Sequence, residues 1–308
     1  MINKEIGKII KAYLPQWTFS AIFIIYKRLL YLSNYFNVSK IRKIYNRADT
    51  SIKYLTIKEL EIMNIKYPRV DVQEAFSEQS LKLQTKYQAK QILSICGNQK
   101  PLNILELGCC TGMVSSMIAN RGHSMYAIDL ELHTDQIDNT GVKFYKMNAE
   151  SLEFNSEYFD IIYSFASFEH FMNPEKVLNE AYRVLKKNGK IYLLFGPLYN
   201  APFGLHGYGI IGIPYLDILF NKKDIDDFTI NHGLVNISSG IDINRWTLFQ
   251  YRQLWSQFSN KFKIINYSEI KNLKYIDIIE KYPSCFRSKS TDIEEYLVSN
   301  IEYYAMKI

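Results

Sequence analysis

At 308 residues the chain is long enough for one large domain or for a core with additions. An apolar share of 47% beside 22% charged residues is a globular balance, and a net charge of +6 suits an anionic ligand without requiring one. Four cysteines in a chain of this length exclude a disulfide framework and predict small buried thiols in a reducing cytoplasm.

Residues 1–85 read as a helical extension, with apolar residues at helical spacing in 6–14, 20–36 and 56–65 and with Pro15 and Pro68 as punctuation. The opening residues lack the apolar run and small-residue cleavage site of a signal peptide. The stretch WTFSAIFIIYKRLLYL (17–32) is interrupted at Lys27 and Arg28, short of the roughly 20 residues that a membrane span needs. It reads as an amphipathic helix packed on the core, with peripheral membrane contact as the lesser alternative. Gln73 to Ile95 leads into the main domain as one or two helices.

Residues 86–308 read as that main domain. From 102 to 195 the chain alternates strand and helix, which predicts a parallel sheet with helices on both faces and a ligand site beyond the strands' carboxyl ends. The strands are expected at the run ending in Glu106, at SMYAIDL (124–130), at the start of VKFYKMNAESLEF (142–154) and at the start of FDIIYSFASFEHF (159–171). PEKVLNEAYRVLKKNGKIYLLF (174–195) predicts a helix opening at Pro174, a stop at Gly189 and a fifth strand. Residues 196–233 then read as a long irregular segment rich in glycine, proline and aromatics, the mark of a functional loop or lid. We take about 196–245 as the insert that binds the acceptor. RWTLFQYRQLWSQF (245–258) predicts a helix with an apolar set of Trp246, Phe249, Trp255 and Phe258, followed by a strand over 261–270 and another over 299–308.

The most specific stretch is ILELGCCTG (104–112), an apolar strand that ends in a small-residue turn. Gly108 and Gly112 permit a positive φ and let the backbone press against a ligand. A dinucleotide fingerprint aligned on Gly108 needs glycine at 110 and 113, where this chain has Cys110 and Met113. Glu106, Gly108, Cys110 and Gly112 instead resemble the Glu/Asp-x-Gly-x-Gly-x-Gly motif of class I S-adenosylmethionine (SAM) methyltransferases, departing only at Cys110. Downstream pieces follow that family's order: Asp129 after the second strand, Asn148-Ala149-Glu150 after the third, and RVLKKNG (183–189) before the fifth. The resemblance covers about residues 87–198.

The resemblance implies a Rossmann-like, doubly wound α/β fold with a mostly parallel seven-stranded sheet, closed by an antiparallel hairpin at the edge, an N-terminal helical extension and an insert after the fifth strand. It implies S-adenosyl-L-methionine as cofactor and S-adenosyl-L-homocysteine as product. It places Glu106, Gly108, Cys109, Cys110, Thr111 and Gly112 in the cofactor turn, Asp129 and Leu130 beside the ribose, and Asn148, Ala149 and Glu150 beside adenine. Ser164, at the end of the fourth strand, joins the cofactor set.

Methyl transfer from a sulfonium is an in-line displacement, so the protein must hold the acceptor atom about 3 Å from the methyl carbon. A hydroxyl acceptor benefits from a positioned base, whereas an anionic oxygen needs none. Histidine titrates near neutral pH, which makes His170 and His206 the candidate catalytic residues, ahead of His232, Tyr208 and Glu169. His123 and His133 read as structural or solvated. No CxxC or His/Cys cluster suggests zinc, and no carboxylate cluster suggests catechol-type metal chemistry.

Nucleic acid is disfavoured as a partner. The place of an Asn-Pro-Pro-aromatic motif reads Ser164-Phe165-Ala166-Ser167, and Asn173-Pro174 reads as a helix cap. The remaining acceptors are a small molecule or a glycan precursor, with O-methylation of a sugar or of a phosphate-type substituent expected. Two alternatives stay open: a SAM-fold partner protein without catalysis, and a nicotinamide oxidoreductase, against which the glycine pattern speaks.

Overall fold

The computed structural model describes residues 37–75, 77–98, 101–132, 141–235, 237 and 243–308. The helices expected at 6–14 and 20–36, and His133, lie outside the described residues. The described chain is helical over 37–47 (α1), followed by α2 (Ile57–Lys66) and α3 (Glu78–Cys96). Thr56 and Glu59 open α2 with a reciprocal capping box. Among the described residues no helix is long and apolar enough to cross a membrane.

The sheet has seven strands: β1 (Asn103–Leu107), β2 (Ser124–Asp129), β3 (Val142–Lys146), β4 (Phe159–Phe165), β5 (Leu185–Phe195), β6 (Phe262–Lys271) and β7 (Val298–Lys307). Their order is β3-β2-β1-β4-β5-β7-β6. Strands β1 to β5 pair in parallel, and β7 runs antiparallel between β5 and β6. β1, β2 and β4 are almost wholly buried because helices cover both faces, which is why they read as continuous apolar runs. The chain reverses its direction of winding at β1 and β4, and a crevice opens there at the carboxyl ends.

Two helices of the sheet half matter for the crevice: α4 (Met113–Ala119), directly after the glycine turn, and α5 (Pro174–Val184), which Asn173 caps through its side chain. α5 stops at Val184, five residues before the stop expected at Gly189. Leu185 already pairs with Phe159, and Lys190 pairs with Ile161, so 186–189 bulge out of the strand opposite Asp160. Gly189 is still required: a Cβ there would stand 2.8 Å from the Lys186 carbonyl oxygen.

The insert is more ordered than its composition suggests. It carries α6 (Leu216–Leu219) and α7 (Lys222–Asn231), the latter capped by Asn221. Then come α8 (Leu248–Gln257), α9 (Ile276–Lys281) and α10 (Pro283–Arg287). Thr247 and Gln250 start α8, and its buried face is Leu248, Tyr251, Leu254 and Trp255. Phe249, expected on that face, is 59% exposed, since it lies one residue off the i, i+3, i+7 stripe.

The protein has separate apolar clusters. Two flank the sheet, one holding Leu105, Ile162, Phe195 and Trp255, the other Ile104, Ile118, Tyr163 and Tyr192. A further cluster joins Ile41 and Leu60 from the N-terminal helices, Leu216, Leu219 and Phe228 from the insert, and Ile279, Phe286 and Leu297 near the C-terminus. Backbone bonds stitch it together: Leu55 N–H donates to Leu219 O, and Val70 N–H to Tyr208 O.

Candidate active site

The crevice at the carboxyl ends of β1, β2, β3 and β4 holds a cleft of about 280 Å³. Its walls include Gly108, Asp129, Leu130, Met147, Asn148, Ala149 and Glu150. Ser167, His170, Phe171 and Met172, from the loop after β4, close the opposite side. Four strand ends thus deliver their following residues to one space.

The glycine turn is set by contacts. Gly108 has φ +72°, and a Cβ there would come within 2.5 Å of the Ser167 side chain. Ser167 Oγ in turn donates to Gly108 O at 3.1 Å, tying the β4 loop to the turn. Gly112 caps α4 in the left-handed region at φ +70°. Cys110, where the related motif has glycine, also has φ +48°. That conformation costs an L-residue about 1–2 kcal/mol. Its backbone N–H donates to Asp129 Oδ2 at 2.7 Å, so the turn and the acidic residue after β2 hold each other. Cys110 is exposed and does not line the cleft; Cys109 is buried beneath the turn. Burial raises the pKa of both thiols, so neither is poised as a nucleophile.

Glu106 and Ser164 lie behind the cleft wall rather than in it. Glu106 is buried and accepts a hydrogen bond from Ser115 Oγ, while Tyr163 OH stands 3.1 Å from the same hydroxyl. Burial pushes the Glu106 carboxyl up to about 7. Ser164 is fully buried, and its Oγ donates to Leu107 O at 2.9 Å, bracing β4 against β1. Thr111 and Gly112 are part of the turn but not of the cleft lining.

The wall after β3 is a self-bonded turn. Asn148 Oδ1 accepts from Glu150 N–H at 2.8 Å, which leaves the Asn148 amide nitrogen as a donor. Glu150 Oε1 accepts from Asn173 N–H at 2.9 Å, linking this wall to the start of α5. Further along, Arg183 donates to Phe154 O and Leu152 O, and Glu180 accepts from Leu152 N–H. The Glu180–Arg183 pair on α5 therefore clamps the segment that follows the wall.

On the opposite side His170 ends the short 3-10 turn Phe168–His170. Its ring meets that of His206, from the insert, edge-on at a centroid distance of 5.0 Å. The structure thus brings the two candidate catalytic histidines together, with only His170 among the cleft-lining residues. His206 Nε2 lies 3.1 Å from Pro197 O. Burial lowers its pKa, against the carbonyl, which raises it. His232 is elsewhere: it ends α7, with Nδ1 2.9 Å from Phe228 O and Nε2 3.5 Å from Glu61. Tyr208 packs edge-on against Phe203 within the insert, and His123 is buried before β2.

Two further residues matter here: Glu169, a lesser candidate in the sequence, and Asn244, which escaped the sequence reading. Glu169 is buried beside His170, and burial pushes its carboxyl up to about 7, against backbone N–H donors that include Gly196. Asn244 holds the same loop: its backbone N–H donates to Glu169 O, and its side chain to Phe168 O and Phe171 O. The sequence does not mark this role of Asn244, because the loop it holds lies more than 70 residues away.

Residues 105–193 match a protein family described as a methyltransferase domain. They are a methyltransferase domain that runs from β1 into β5. The chain is similar to the ubiquinone biosynthesis O-methyltransferases of Pseudomonas fluorescens (28% identity over 123 residues, 37% of this chain and 51% of that one) and Nitrosomonas europaea (28% over 131 residues, 40% and 54%). It spans about half the length of the curated relatives it matches. A solved SAM-dependent methyltransferase from Methanosarcina mazei is 16% identical, with a TM-score of 0.42, covering 70% of this chain and 97% of that one. A solved protein from Pyrococcus horikoshii is 17% identical, with a TM-score of 0.45, covering 75% and 93%.

The methyltransferase domain implies SAM as methyl donor, and the cleft fits it. Asp129 spends one oxygen on Cys110 N–H, and its remaining lone pairs suit a ribose diol. The Asn148 amide donor suits an adenine ring nitrogen, with Ile128, Leu130 and Met147 as apolar lining for a flat ring.

Proposed function

We propose that this chain transfers a methyl group from SAM to a hydroxyl oxygen of a small molecule or glycan precursor. The observation that carries this reading is one cleft lined by Asp129, Asn148 and His170. Asp129 and Asn148 hold the nucleoside part; bound SAM supplies an electrophilic methyl group on sulfur. His170 stands on the facing wall, so the acceptor's hydroxyl is bound beside it. Ser167, bonded to Gly108, fixes the distance between the two walls.

Oxygen as the acceptor atom is supported by the relatives' name, ubiquinone biosynthesis O-methyltransferase. A sugar acceptor is supported by aromatic side chains on the insert: Tyr199 lies under the Arg245 guanidinium, and Phe203 and Tyr208 lie edge to face. Such rings can stack on a sugar face.

Calorimetric titration with SAM, on the native chain and on Asp129→Ala, tests the cofactor half. The substitution should weaken SAM at least about 100-fold, since it removes a charged hydrogen-bond acceptor from a formed site. Equal affinities would remove Asp129 from the site. S-adenosylhomocysteine release, measured against nucleotide sugars and against hydroxylated aromatics, then tells the two acceptor classes apart.

A further inference from the structure

Glu169, His170 and His206 each offer one ligand atom to a common space, and those atoms all lie within 4.8 Å of one another. Glu169 Oε1 accepts from Gly196 N–H at 3.1 Å. Its Oε2 is buried and meets no hydrogen-bond partner among the described residues. A buried carboxylate oxygen in that position pays a desolvation penalty unless a cation or a donor meets it.

The histidines are placed to meet the same need. A carbonyl oxygen can only accept, so the contact with Pro197 O puts the hydrogen of His206 on Nε2 and leaves the lone pair on Nδ1. Asn244 pins the loop carrying Glu169 and His170 through three backbone groups, so two of the three ligands stand on a held segment.

We propose that Glu169, His170 and His206 form a binding site for a divalent transition ion of the zinc type, on the acceptor side of the cofactor cleft. Two imidazoles and one carboxylate suit zinc and its neighbours, whereas magnesium and calcium call for oxygen ligands. Bonds of about 2.0–2.2 Å put neighbouring ligand atoms about 3–4 Å apart, so binding draws the group together by about 1 Å. Three protein ligands leave a position open for a water or an acceptor oxygen. A hydroxyl bound there gives its proton to water at a lower pH than a free alcohol does. That role deepens the methyltransferase reading and rests on it; occupancy of the site does not. Zinc-type spacing is absent from the sequence because 169–170 and 206 meet only through the fold.

The test uses the full untagged chain, stripped of metal with a chelator. It is titrated with Zn²⁺ by calorimetry and with Co²⁺ by visible absorption. The expected result is one ion per chain and a low-coordinate Co²⁺ spectrum. His206→Ala and Glu169→Gln should each weaken the ion by about 100-fold or more, with circular dichroism confirming that both are folded. Asp129→Ala, on the other wall, should leave ion affinity unchanged. Absence of saturable binding, or equal affinity in both ligand variants, overturns the site. SAM affinity measured on the same samples separates the two readings. SAM bound without an ion removes only the ion site; an ion bound without SAM keeps the site and removes the methyltransferase reading.

Discussion

The sheet half and the helical half of this molecule are assembled in opposite ways. The sheet half, 103–195, takes its cleft from consecutive strand ends: Gly108 after β1, Asp129 at the end of β2, Asn148 after β3 and His170 after β4. Each group is placed by the strand just before it, so short stretches suffice to position it. The helical half draws one core from three distant stretches, with Ile41 and Leu60, then Leu219 and Phe228, then Phe286 and Leu297 in one cluster. It brings His206 against His170 from outside the sheet. The wall of Gly108, Asp129 and Asn148 is therefore written locally, and the side on which His206 meets His170 depends on long-range packing.

The strongest way to break this contrast is to empty the helical core and ask what the cleft feels. Phe286 is fully buried, edge-on to Tyr215 and to Tyr296 at centroid distances of 5.0 Å. Phe286→Ala should lower the unfolding free energy by about 4 kcal/mol, the sum of lost burial and a residual cavity. Urea unfolding followed by fluorescence measures this. If the halves divide the work as described, SAM affinity of the still-folded protein stays within about twofold of the native value. A large loss of SAM affinity would mean that the helical core also shapes the cofactor wall.

The next effect sharpens the sheet half. Burial raises the Glu106 carboxyl from 4.5 to about 7. The folded state then binds more protons than the unfolded chain between those values. Stability is thus fullest below about pH 4.5 and falls as pH rises through about 7, by an order of 3 kcal/mol for this group. Glu106→Gln keeps the acceptor for Ser115 and removes the titration. Stability measured from pH 5 to 8 should fall less steeply in the variant; parallel curves would show that the carboxyl is not held up by burial.

Arg183 should produce a smaller effect, read in binding. It clamps Leu152 and Phe154 behind the Asn148–Glu150 wall without touching the cleft itself. Arg183→Ala should weaken SAM by about tenfold, equivalent to about 1.4 kcal/mol. Arg183→Lys restores charge but not the two-carbonyl fork, so it should recover little. Recovery by lysine would assign the effect to charge alone.

What was legible in the sequence follows the same divide. Strands β1 and β2 are apolar runs closed by Gly108 and Asp129, β4 is a third apolar run, and Asn173-Pro174 reads directly as a cap. The early end of α5 was not legible, because Lys186 to Gly189 continue a helical composition while Leu185 is claimed by Phe159 across the sheet. The insert looked irregular because its glycines report close backbone approach: a Cβ on Gly212 would stand 2.0 Å from Pro68 O, a contact with a residue 144 positions away by number. Glu106 looked like a ligand-facing acid by motif, yet β1 turns its side chain toward Ser115 and Tyr163.

The smallest prediction concerns the seam between α2 and α7. His232 Nε2 stands 3.5 Å from Glu61, with both side chains a little under half exposed, and the His232 ring stacks on Phe228 at a centroid distance of 4.0 Å. Exposed pairs of this kind contribute about 0–1 kcal/mol and are screened by salt. Glu61→Gln should therefore change stability by less than about 0.5 kcal/mol, whereas Phe228→Ala, on the same seam but fully buried, should cost several times more. A Glu61→Gln effect as large as the Phe228 one, and abolished by 1 M salt, would show that charge rather than packing joins the insert to the N-terminal helices. The ring stack and the full burial of Phe228 favour packing, which does not depend on the ionic strength at which the two variants are compared.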